Sequence, residues 1–165
     1  MAGWPSSERF RFLYRDDAGE IDRETWAKHA SAMLALVFAL TLPWLWLRAH
    51  IVHDLAKEPL FDLQIFTAYF YSIVYAFALM LVGVSYMNLS AKRFRALHWP
   101  NPLGLASLVP LVAFLTGALR LVPILSPSIS DLAPTWAIWG AEGIFFCVAA
   151  WTAWECGIKR VNGAE

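Results

Sequence analysis

Four runs of about 20 mostly apolar residues, at about 31–49, 64–88, 103–125 and 134–157, dictate the solvent in which this chain folds. Each is long enough to cross a hydrocarbon core of roughly 30 Å, and together they take up most of the 165 residues. A chain that is 59% hydrophobic and only 16% charged, with a mean hydropathy of +0.50, lies outside the range of soluble domains. The expected fold is an all-α integral membrane protein, a four-transmembrane-helix bundle over 31–157. Residues 1–30 form a polar, interfacial segment before it and 158–165 a short tail after it. No short apolar stretch follows a basic start in the first 30 residues, so the first span is expected to stay in the mature protein.

The cations orient the bundle. Arg9, Arg11, Arg15, Arg23 and Lys28 precede the first span, Lys92, Arg93 and Arg95 lie between spans two and three, and Lys159 and Arg160 follow span four. Only Arg48, Lys57 and Arg120 fall on the other side, and the positive-inside rule then places both termini and the 91–102 segment in the cytoplasm. The tryptophans fit two interfacial belts, with Trp44, Trp46, Trp136 and Trp139 near the outer headgroups and Trp26, Trp99, Trp151 and Trp154 near the inner ones.

The segment AKRFRALHWPNP, residues 91–102, gathers Lys92, Arg93 and Arg95 with no acidic residue among them. As a loop at the inner face it is expected to anchor topology and to touch anionic lipid headgroups, at about 1 kcal/mol per cation.

AKRFRAL, followed by Pro-Asn-Pro and an apolar span containing LVPLV, resembles the signature of a bacterial membrane family, the domain of unknown function 805. GEIDRETW at 19–26 is similar to that family's approach to span one through Gly19, Ile21, Arg23 and the aromatic Trp26. WTAWECGIKRVNG at 151–163 is similar to its closing segment through Glu155 and Gly157. Glu20 stands where the family has a second basic residue, and Arg95 and Ala96 replace its His-Asp pair. The resemblance implies a small four-span protein of the bacterial inner membrane and brings no known reaction.

Within the spans, two ionisable side chains sit in apolar surroundings: Arg120 near the outer end of span three and Glu142 in WGAEGIFF of span four. Counted from the outer ends at about 1.5 Å per residue, they lie within one turn of each other in depth. An ion pair between Arg120 and Glu142 is expected, clamping the two helices; the alternative is a protonatable Glu142 on an ion path. Gly117, Gly140 and Gly143 surround them and would let backbones approach closely there.

Asp22 precedes a helix-favouring run and reads as an N-cap. The mixed basic and aromatic stretch before it, Arg9 to Tyr14, is of a kind that lies along headgroups or docks a partner. Phe66, Tyr69, Phe70, Tyr71 and Tyr75 crowd the outer half of span two, which suits either belt packing or a quinone or lipid slot. Cys147 and Cys156 are nine residues apart on one span, about 13 Å by helical rise, so they read as small packing residues that do not bond to each other.

The four histidines, His29, His50, His53 and His98, are spread over both faces, so no haem, pigment or metal site is expected. The sequence has no G-x-S-x-G, H-E-x-x-H, phosphate loop or dinucleotide fingerprint, and the basic segment is too small and too near the membrane to bind nucleic acid. The leading expectation is a non-enzymatic accessory or scaffolding subunit whose partners are membrane lipids and another integral-membrane protein. Runners-up are a small oligomeric transporter with Arg120 and Glu142 in its path, and a lipid- or quinone-binding protein.

Overall fold

The computed structural model describes residues 7–51, 62–125 and 134–159. His53, Lys57 and Arg160 lie outside them, as does most of the expected tail. Every regular element among the described residues is helical: α1 (Ser7–Tyr14), α2 (Arg23–Leu47) with a 3-10 turn (Arg48–His50), α3 (Leu63–Ala96), α4 (Pro102–Leu125) and α5 (Thr135–Gly157). Four of these, α2 to α5, are long and apolar enough to cross a membrane.

Local chemistry sets the ends. The Asp22 carboxylate accepts the main-chain N–H of Thr25 at 3.2 Å, so α2 starts where the cap was expected, well before the apolar run. Asp62 does the same for Gln64 at 2.7 Å at the start of α3. Asn101 accepts the Gly104 N–H at 3.2 Å, and Pro102 stands just inside α4, where a missing N–H costs nothing.

The 91–102 segment corrects the expectation of a basic loop. Its first six residues complete α3, which runs 34 residues, about 50 Å at the usual rise and well beyond one hydrocarbon thickness. Ala, Lys, Arg and Phe sustain a helix in any solvent, whereas hydropathy marks only the part of it that suits lipid. The turn itself is short, with His98 and Asn101 at φ of 58° and 52° reversing the chain into α4.

Helices α2, α3, α4 and α5 form a ring in which each packs on its sequence neighbour and α5 closes on α2. α1 lies against α3. The apolar core is gathered at one end: Leu13 of α1, Ile21, Trp26 and Met33 around the start of α2, Leu89, Ala91 and Phe94 late in α3, Ala106 early in α4 and Cys156 late in α5. This is the closed end of the bundle. Toward the opposite end the helices are joined by hydroxyls, with Tyr71 donating to the Leu40 carbonyl at 2.7 Å and Thr41 bonded to Tyr75 at 2.9 Å.

Candidate functional site

Three helices, α1, α3 and α5, end at the closed end, and each helix leaves its last carbonyls without intrahelical donors. Their dipoles add negative potential at the same place. The cations of AKRFRA stand there because α3 is long enough to carry them past its own apolar section.

Lys92 is fully buried and donates from Nζ to the carbonyls of Phe12 and Asp16, with Leu13 O at 3.5 Å. It therefore caps the C-terminus of α1, and its ammonium also lies 4.7 Å from the centre of the Phe12 ring. Asn88, one turn earlier on α3, adds a bond from Nδ2 to Tyr14 O at 2.9 Å. Arg93 is 2% exposed and turns the other way, donating from Nε to Cys156 O at 3.0 Å and from Nη2 to Lys159 O at 2.7 Å at the end of α5. Arg95 holds the connection between α1 and α2, reaching Asp17 O and, at 2.9 Å, Gly19 O.

These contacts correct the expected headgroup role of Lys92 and Arg93, which are buried, while Arg95 stays partly exposed. A buried cation whose donors are filled by carbonyls does not offer its charge to lipid. The three cations form a carbonyl clamp that fastens two helix ends and one loop to α3. Among the described residues no carboxylate forms an ion pair with any of them.

The rest of the closed end follows. Gly19 adopts φ +95°, and a Cβ there would meet the Phe12 ring at 2.7 Å, so the loop turns tightly over α1. Trp26, expected as an inner-belt anchor, is instead 6% exposed and donates from Nε1 to Ser90 Oγ at 3.1 Å in the core. Trp151 stacks on Phe94 at 5.7 Å and meets Trp99 edge-on at 6.2 Å. Trp99 donates to Glu155 at 3.3 Å, and Lys159 pairs with the same carboxylate at 3.0 Å. Of the remaining tryptophans, Trp46, Trp136, Trp139 and Trp154 present exposed rings, while Trp44 stacks on Tyr75 at 5.5 Å.

α1 does not lie free along a surface: Leu13 is 2% exposed against the core, and the Tyr14 hydroxyl is bonded to His29 Nδ1 at 2.7 Å. Burial raises the Tyr14 pKa above its ordinary value. Asn88, Ser90 and Thr152 are buried polar residues that the sequence reading passed over. Their one signal is polarity at the end of an apolar run, which also marks any span that simply reaches water.

A second polar site lies toward the opposite end, where Arg120 of α4 and Glu142 of α5 form the expected ion pair. Arg120 donates from Nε at 2.6 Å and from Nη2, both to Glu142 Oε1. The pair faces outward, with the arginine side chain 60% exposed and the glutamate 17%. The glycines around it correct an expectation: a Cβ at Gly117, Gly140 or Gly143 would meet nothing within 4 Å, so no backbone approaches there. Cys147 is likewise exposed on α5 rather than packed, and Cys156 alone is buried; both are free thiols.

The aromatic half of α3 is tied to its neighbours, Tyr69 donating to Ile51 O at 2.9 Å in addition to the Tyr71 and Tyr75 bonds. Beside it, Trp46, Leu47, His50, Leu63, Gln64 and Thr67 line an open cleft of about 210 Å³. Among the described residues no three His, Cys, Asp or Glu side chains gather as a metal site.

Fold and sites together describe a helical bundle of the multi-pass membrane type, closed at one end by a polar clamp. The chain matches no family model, no curated protein and no solved structure.

Proposed function

We propose that this protein is a non-enzymatic accessory or scaffolding subunit that packs against a larger integral-membrane assembly, of respiratory or photosynthetic type. The observation that carries this reading is the carbonyl clamp. The densest set of cationic side chains, Lys92, Arg93 and Arg95, is directed at the chain's own helix ends and one loop, which suits a part whose task is to hold shape. The surfaces left for a partner are apolar helix faces bearing exposed residues such as Phe38, Trp46, Ile73, Phe114 and Phe146. The balance of ten cations against three supports an orientation with both termini cytoplasmic. The segments around Gly19, Arg23, Lys92, Arg93, Glu155 and Gly157 support a divergent relationship to the domain of unknown function 805, and with it a bacterial inner membrane.

The test is native mass. The chain is tagged at its C-terminus, extracted from its source membrane in a mild detergent, and its particle compared with the 18.6 kDa of one chain. Recovery in a complex with other membrane proteins is the expected result. Recovery of this chain by itself, as monomer or small homo-oligomer, would overturn the proposal.

A further inference from the structure

Among the described residues the Arg120–Glu142 pair leaves much of its bonding capacity unused. Both arginine donors converge on one carboxylate oxygen, Oε1. Among the described residues Glu142 Oε2 accepts no hydrogen bond and Arg120 Nη1 donates none. A carboxylate has room for a second forked donor and a guanidinium has a second edge to give. An unfilled acceptor and unfilled donors thus stand side by side on the outer surface of α4 and α5.

The setting makes this costly. Glu142 lies seven residues into α5, about 10 Å from its start, in a helix apolar enough to cross a membrane. Trp136 and Trp139, both exposed, lie between it and the helix end. Ionised groups at such a place with open hydrogen-bonding positions are stabilised by a partner that fills them. The adjoining surface is low: Gly117, one turn before Arg120, and Gly143, next to Glu142, both open onto empty space.

We propose that the chain forms a two-fold dimer through the α4–α5 face, in which Arg120 of each copy donates to Glu142 of the other. The patch carries one cation and one anion and so is complementary to itself, the requirement for a contact that uses the same surface on both copies. A lipid phosphate would fill the arginine and leave the carboxylate open. An unrelated helix would have to bring a matched pair of its own. The dimer face is separate from the closed end and goes beyond the accessory-subunit reading.

The experiment uses the full chain in lipid nanodiscs, with two different tags, read by co-capture and by single-molecule subunit counting. Arg120→Glu alone and Glu142→Arg alone each place like charges across the axis, and each is expected to associate about tenfold more weakly than wild type, the size of an interhelical polar contact in a membrane. Mixed together, the two variants present two carboxylates to two guanidiniums, and the mixed dimer is expected to be recovered in preference to either homodimer. Gly117→Leu guards against misfolding, because a Cβ there meets nothing within 4 Å. It is expected to keep the wild-type unfolding temperature while abolishing the dimer. A monomeric wild-type chain, with or without anionic lipid, would overturn the proposal, and so would mixed variants that show no preference for each other.

Discussion

Arg93 donates from Nε to the main-chain carbonyl of Cys156 at 3.0 Å, and from Nη2 to that of Lys159 at 2.7 Å, so one side chain of α3 closes the end of α5. The two bonds come from different nitrogens of a rigid fork, a geometry that an ammonium does not reproduce. Arg93→Met is expected to lower unfolding free energy in mixed micelles by about 1.5–3 kcal/mol, the range for hydrogen bonds that involve a charged group. Arg93→Lys should recover part of that loss. If the methionine variant unfolds like wild type, the fork does not hold α5.

Lys92 makes a more local contribution, because its carbonyl partners all belong to α1 and the residues just after it. Lys92→Met keeps the buried stem and removes the donors, so it should release α1 and leave the ring of α2 to α5 in place. Hydrogen exchange is the measurement: amides of residues 7–16 are expected to exchange faster, and those of α3 to stay protected. Faster exchange throughout α3 would mean that Lys92 supports the whole bundle.

Gly157 and Trp26 meet where α5 crosses the start of α2. A Cβ on Gly157 would come within 3.2 Å of the indole ring, which its bond to Ser90 holds in place. Gly157→Ala is expected to cost about 1–2 kcal/mol by overpacking. In Trp26→Phe the ring is smaller and unpinned, so the same alanine should cost much less there. A double-mutant cycle reads the difference directly, and additive effects would refute the contact.

The four long helices were legible because a membrane demands about 20 apolar residues per crossing. The ion pair was legible because depth along a helix follows from counting residues, and Arg120 and Glu142 fall at matching depths. The clamp was not, for a physical reason. Lys92 and Arg93 bond to main-chain carbonyls 63 to 80 residues away, and a carbonyl has no letter in the sequence. Hydropathy also ended the second span near Asn88, although α3 continues to Ala96, since burial beyond the apolar stretch is decided by what packs there. Trp26 shows the same limit: a tryptophan near a span end suits a belt or a core, and its partner Ser90 lies 64 residues on.

Asp22 gives the N-terminus of α2 a pH dependence. Hydrogen bonds from the Thr25 side chain, and next from its main-chain N–H, hold the Asp22 carboxyl below its ordinary value of 3.8. With the folded value below the unfolded one, the stabilisation is complete above that ordinary value and is lost as pH falls through the lower, folded value. Asp22→Ala is expected to remove about 1 kcal/mol at neutral pH. Asp22→Asn keeps an acceptor, so it should hold most of the neutral-pH stability while flattening the acid limb. An unchanged acid limb in the asparagine variant would assign that titration to another carboxylate.

The two members of the outward pair are unequal, since the Glu142 side chain is 17% exposed and that of Arg120 60%. Arg120→Gln leaves the more enclosed carboxylate without a counter-charge. Glu142→Gln leaves a long cation that can extend along the helix surface to the interface. The arginine variant is therefore expected to be the less stable, and the double variant no worse than Arg120→Gln alone, because the charge it strands is gone. Unfolding of all three in the same detergent decides the matter. Equal and additive losses would mean that the two side chains act independently and that the close approach between them contributes nothing to holding α4 against α5.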